Sequence, residues 1–129
     1  SRKALIIVRK AVWRSTMSDR DRVIGILRRA YVRLEGHWVP RTPGKDEEYL
    51  FTAIYKPWAD LKENSLDTSY YRALECVEEQ LRLMFPRARE GYHIIDFNDH
   101  LVESELQALD AIARAISSLE GEQKRAADV

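Results

Sequence analysis

With 129 residues, the chain has the length of one domain rather than two. Its 45% hydrophobic and 33% charged residues exclude a disordered polar chain, and only 5 glycines and 4 prolines exclude collagen, low-complexity linkers and turn-rich sandwiches. A single cysteine makes neither an internal disulfide nor a four-ligand zinc cluster, which suits a reducing compartment.

The formal net charge of zero conceals a division along the chain. Up to Lys45 there are 12 Lys/Arg and 3 acids, a balance of +9; beyond it 9 Lys/Arg face 18 acids, a balance of −9. Such asymmetry speaks about partners and fields rather than fold. It fits either a molecule with a basic end or two segments that neutralise each other when packed.

The opening Arg2-Lys3-Ala4-Leu5-Ile6-Ile7-Val8 carries an apolar run that Arg9 and Lys10 interrupt short of a signal-peptide core. No run approaches the ~18 apolar residues of a spanning helix. The expectation is a cytoplasmic protein without membrane contact. Residues 3–14 read as a first helix, although the apolar run also suits a buried strand. Ser18 and Asp21 predict a capped start for a second helix reaching Leu34, with Val23, Ile26, Leu27, Ala30, Tyr31 and Leu34 inward and Gly36 as its stop. Residues 36–45, with two prolines and two glycines, form the one clear loop.

Asp46 is placed to cap a third helix running to about Asn64, with Leu50, Ile54, Trp58 and Leu61 as its stripe and Pro57 kinking or splitting it. Asp67, Thr68 or Ser69 caps a fourth, buried through Tyr70, Ala73, Leu74, Val77, Leu81 and Met84 and ending at Phe85-Pro86. Residues 86–97 read as irregular. Asn98 or Asp99 then opens a last helix to about Leu119, Gly121 ends it, and residues 122–129 fray. The reading is an all-α, single-domain bundle of about five helices: basic helices over 3–35, a Gly/Pro loop at 36–45, an acidic helical part over 46–120 and a tail at 121–129.

Three constellations stand out. On the second helix Arg22, Arg29 and Arg33 are spaced i, i+7, i+11 and share one stripe away from the apolar face. Planar guanidinium forks suit phosphate, so this row, with Lys10, Arg14 and Arg41 in support, predicts contact with nucleic-acid backbone or with an acidic protein surface. Trp38 in the loop is a candidate stacking ring. The plainer alternative is a solvated helix face paired with the acidic half.

Second, Glu75 and Glu78 are three apart, as are Asp96 and Asp99, an arrangement of oxygen ligands that suits magnesium. The pattern resembles the ExxE…ExxD motif of the MazG-like all-α nucleoside triphosphate pyrophosphatases, and the resemblance implies magnesium held by these carboxylates and release of pyrophosphate. The chain departs from that motif at Asp96, where the family has Glu, and at Leu74, where the family has a further Glu.

Third, His93, Asp96, His100 and Glu103 share a face only if 93–103 is one continuous helix, which Gly91 and the Asn98 or Asp99 cap oppose. The Arg87–His93 spacing also resembles the R-x4–6-H pattern of HEPN ribonucleases, which implies RNA cleavage across a dimer; here Pro86 and Gly91 bracket the pair. Cys76 reads as a core thiol. No GxGxxG, P-loop or HExxH occurs.

The resulting expectation is a small non-enzymatic accessory protein, with no catalytic residue, metal or cofactor assigned. It binds nucleic-acid backbone, or an acidic partner, through its basic helices. The alternatives are a protein-interaction module (inhibitor, immunity or adaptor protein) working through the acidic part, and a magnesium-dependent pyrophosphatase. Three tryptophans also suit a homodimer or a subunit of a larger complex.

Overall fold

The computed structural model describes residues 18–61 and 68–127; the expected first helix, with Lys10 and Arg14, lies outside them. The described chain is an all-α bundle: α1 (Asp19–Leu34), α2 (Leu50–Leu61), α3 (Ser69–Met84), a short α4 (Ile94–Asp96) continued by a π-turn (Phe97–Leu101), and α5 (Glu105–Ala127). No strand occurs among the described residues, only a single parallel bridge between Trp38 and Glu48.

Helix α1 is the centre of the bundle and packs on α2, α3 and α5. Its start follows the capping rule, because the Ser18 hydroxyl accepts the Asp21 N–H at 3.1 Å. Val23, Ile24, Ile26, Leu27, Ala30 and Leu34 are buried, and Gly36 turns the chain at a φ of +82° that costs a side-chain-bearing residue energy. Tyr70, Ala73, Val77 and Leu81 of α3, with Leu109, Ile112 and Leu119 of α5, complete the same core.

Three boundaries differ from the sequence expectation. Asp46 does not cap α2. It sits at φ +62°, its carbonyl bonded by His37 Nδ1, and the helix begins four residues later at Leu50. The cap comes from elsewhere in the chain: the side-chain oxygen of buried Asn98 accepts the Leu50 N–H at 3.2 Å. The helix then runs unbroken through Pro57.

The last helix begins at Glu105 rather than at 98 or 99. Its start is marked by Ser104, whose hydroxyl accepts the Gln107 N–H at 3.2 Å, while the Gln107 side chain accepts the Glu103 N–H at 2.7 Å. Residues 97–101 instead form a π-turn, closed by the Val102 N–H on the Phe97 carbonyl at 2.8 Å. Finally, α5 continues past Gly121 to Ala127. Arg28 with Glu120, and Arg20 with Glu122 at 3.8 Å, hold that end of α5 against α1.

Candidate interaction surface

Part of the charge division of the sequence is settled inside the fold, where Arg20, Arg28, Arg33 and Arg41 pair with carboxylates of the acidic part. One edge of α1 meets α5 through the Arg20 and Arg28 pairs. The other meets Glu48, whose carboxylate is nearly buried at 9% exposure and receives Arg33 Nε at 3.2 Å, Lys56 Nζ at 2.8 Å and the Thr52 hydroxyl at 2.6 Å. Arg33 also approaches Asp60 at 3.8 Å. Burial pushes the Glu48 carboxyl up, but the Lys56 and Thr52 hydrogen bonds and the charges of Lys56 and Arg33 outweigh it and hold it below the ordinary value.

The residues singled out for phosphate contact are distributed accordingly. Arg33 is committed to carboxylates, and Arg41 forms a two-pronged pair with Glu47 at 2.9 and 2.7 Å. That pair, with the Gly44 N–H, lowers the Glu47 carboxyl and raises the Arg41 guanidinium. Arg22 is half-buried on α1; Arg29 is exposed and has no carboxylate partner among the described residues. Trp38 is no open stacking ring: it is half-buried, and its indole N–H donates to Asn98 at 2.8 Å.

The acidic constellation is brought together only in part. Glu78 accepts the Ile94 N–H at 3.0 Å, Asp96 the His93 N–H at 3.0 Å, and Asp99 the Asn98 amide at 3.0 Å. Each carboxylate therefore has a local capping or bracing duty around the short α4 and its π-turn. Among the described residues no group of three or more His, Cys, Asp and Glu side chains gathers as metal donors. Arg87 lies in the turn after α3, His93 precedes α4, and Glu103 falls beyond the π-turn, so His93, Asp96, His100 and Glu103 do not share a single α-helical run.

One surface that combines exposed apolar side chains with carboxylates lacking a cation among the described residues is the outer face of α3. Tyr71, Glu75, Glu79 and Leu83 recur every four residues and form one stripe opposite the buried Tyr70, Ala73, Val77 and Leu81. Tyr71 is 64% and Leu83 72% exposed. Glu75 and Glu79 are exposed and have no partner among the described residues. Along the edge of this stripe, half-buried Cys76 reports the local field: burial pushes its thiol up first, and Glu79, Glu122 and Glu75 push it further, against Arg72.

Tyr71 is also the outermost ring of an aromatic cluster joining α2 and α3. Tyr70 lies 5.1 Å from Tyr71, 5.1 Å from Trp58 and 5.6 Å from Tyr55, and Phe51 stacks on Tyr55 at 5.9 Å. Burial, followed by Tyr71, Tyr55 and Tyr49, drives the Tyr70 hydroxyl up to about 12, so it stays protonated at neutral pH. The stripe was readable as the i, i+4 complement of the predicted buried face. Asn98 and Glu48 were not, because their roles depend on partners up to 60 residues away.

No helix among the described residues is long and apolar enough to cross a membrane. No family model, curated protein or solved structure matches the chain.

Proposed function

We propose that this chain is a non-enzymatic helical interaction module, acting in the cytoplasm as part of a larger assembly, with the outer face of α3 as its working surface. The observation that carries this reading is the contrast in satisfaction. Glu48, Glu47, Glu120 and Glu122 are paired within the fold, whereas Glu75 and Glu79 have no cation partner among the described residues and stand between two exposed apolar side chains, Tyr71 and Leu83. Exposed aromatic and aliphatic side chains beside unspent charge are what a protein partner uses for anchoring and for register.

A second reading keeps one specific support. Arg29 is exposed with no carboxylate partner among the described residues, so contact with nucleic-acid backbone through Arg22 and Arg29, reinforced by Lys10, Arg14, Arg33 and Arg41, is the competing proposal. It requires Arg33 and Arg41 to exchange carboxylates for phosphates.

One experiment separates the two. A photo-crosslinking amino acid replaces Tyr71 in one variant and Arg29 in another, and both are irradiated in the producing cell. The α3 reading expects a discrete protein adduct at position 71, diminished by Leu83→Glu. Nucleic-acid adducts at position 29 with none at 71, matched by binding that weakens by orders of magnitude between about 50 and 200 mM salt, would reverse the assignment.

A further inference from the structure

Two helices of the bundle carry outer faces of opposite charge. On α1, Arg29 and Val32 lie on the side away from the buried stripe. Val32 is 73% exposed, and Arg29 is exposed with no carboxylate partner among the described residues. On α3, Tyr71 and Leu83 flank Glu75 and Glu79, which have no cation partner among the described residues. Each face joins an exposed apolar side chain to a charge of one sign, and the signs are opposite. Because α1 and α3 already pack on each other through the core, side chains directed away from that core do not meet within one chain.

The spacing of the two faces agrees with direct contact. A guanidinium donates from several N–H groups in a fixed fork, so one arginine can serve two carboxylates a helical turn apart and offset their mutual repulsion. With Arg29 set against the midpoint of Glu75 and Glu79, Val32 lies three residues along α1, about 5 Å. Tyr71 and Leu83 lie six residues to either side of the same midpoint, about 9 Å along α3. In either relative direction of the helices, an exposed apolar side chain of α3 therefore falls on the Val32 side of the ionic contact.

We propose that the outer face of α3 takes the outer face of α1 from a second copy of this chain, with Arg29 entering between Glu75 and Glu79 and Val32 packing towards Tyr71 or Leu83. The inference rests on the reading of the α3 face as the working surface and names its partner. One contact satisfies both the cation and the carboxylates that the bundle leaves unpaired. About three turns on each side make a small interface, in the class below roughly 1,200 Å² that marks weak association, so it forms at high protein concentration and yields to salt.

Sedimentation velocity of the full chain over a concentration series, at about 50 mM and about 1 M salt, tests it. At low salt the average mass should rise above the monomer with concentration; at high salt it should return to the monomer. Arg29→Glu, and separately Glu75→Lys with Glu79→Lys, should each remain monomeric with unchanged helicity. An equal mixture of these two variants should associate again, because the α1 face of each now meets opposite charge on the α3 face of the other. A parent that is monomeric throughout, association that either variant leaves intact, or a mixture that stays monomeric would overturn the proposal. A photo-adduct at position 71 with a different protein, from a chain that stays monomeric, overturns the second copy and keeps the α3 face. Association that Glu75→Lys with Glu79→Lys leaves intact, with no adduct at position 71, overturns both.

Discussion

Two carboxylate-bearing regions of this molecule, a few helical turns of chain apart, obey opposite rules. Glu48 sits where the loop after α1 meets α2, almost buried and ringed by Arg33, Lys56 and Thr52. Glu75 and Glu79 sit one turn apart on α3 with like charge and no partner among the described residues. A like-charged i, i+4 pair costs an isolated helix a few tenths of a kcal/mol. The fold therefore gains nothing from the second region and depends on the first. That difference is the physical ground for locating fold maintenance in one and recognition in the other.

The strongest test of the first region is Asn98. Its side-chain oxygen accepts from Trp38 Nε1 at 2.8 Å and Leu50 N at 3.2 Å, and its amide donates to the Val39 carbonyl at 3.1 Å and to Asp99 at 3.0 Å. All four of its hydrogen-bonding positions are occupied in a residue with no solvent exposure. Asn98→Ala strands buried groups on the loop, on α2 and on Trp38 at once, and should cost about 3 kcal/mol by denaturant titration, with a shift in tryptophan emission. A loss under about 1 kcal/mol would mean that the loop is not held through this side chain.

Glu48→Gln should cost about 2 kcal/mol at neutral pH, because it leaves Arg33 and Lys56 facing an uncharged amide. The pH dependence gives an independent reading. The folded Glu48 carboxyl lies below its ordinary value, so the unfolded chain binds the proton first as pH falls. Its contribution is therefore complete above about pH 4.5 and disappears as pH drops through the lower folded value. The Gln variant should lose less stability than the parent over that acid window. Parallel acid-unfolding curves would remove Glu48 from its assigned role.

The same contrast explains what sequence reasoning reached. Local rules sufficed for α1 and α3: Ser18 with Asp21 set one start, and the 3.6-residue stripe chose Tyr70, Ala73, Val77 and Leu81 for burial. They failed where a boundary is decided at long range. Asp46 looked like the cap of α2, but Asn98, 48 residues from Leu50, supplies it. The π-turn at 97–101 places both Asn98 and Phe97 in the fully buried interior, a tertiary arrangement that no spacing announces. Ser104 and Gln107, by contrast, carried a readable S-x-x-Q signal that the nearer Asn98 and Asp99 obscured. Of the candidate site, the Arg22, Arg29 and Arg33 row was legible as a row, but only the fold shows that Arg33 is committed to Glu48.

The central helix also holds a position where neither packing nor pairing explains the residue. Gly25 is in mid-α1, and a Cβ added there meets nothing within 4 Å. Gly25→Ala should stabilise the fold by about 0.5–1 kcal/mol, read as a rise in the unfolding midpoint with unchanged denaturant slope. A destabilisation would show that the space above Gly25 is occupied in solution.

The smallest effect sharpens the comparison most. Glu75→Gln with Glu79→Gln removes a like-charge pair that no described cation compensates, so on the bundle alone it should raise stability by about 0.2–0.5 kcal/mol. At high salt this repulsion is screened and the two proteins should unfold together. The informative quantity is thus the salt dependence of the difference between parent and double variant. A gain at low salt that decays as salt rises describes an acidic face left open within the monomer. A loss at low salt that decays the same way would mean that these carboxylates have cationic partners within the protein, and would withdraw the face from its role as an open recognition surface.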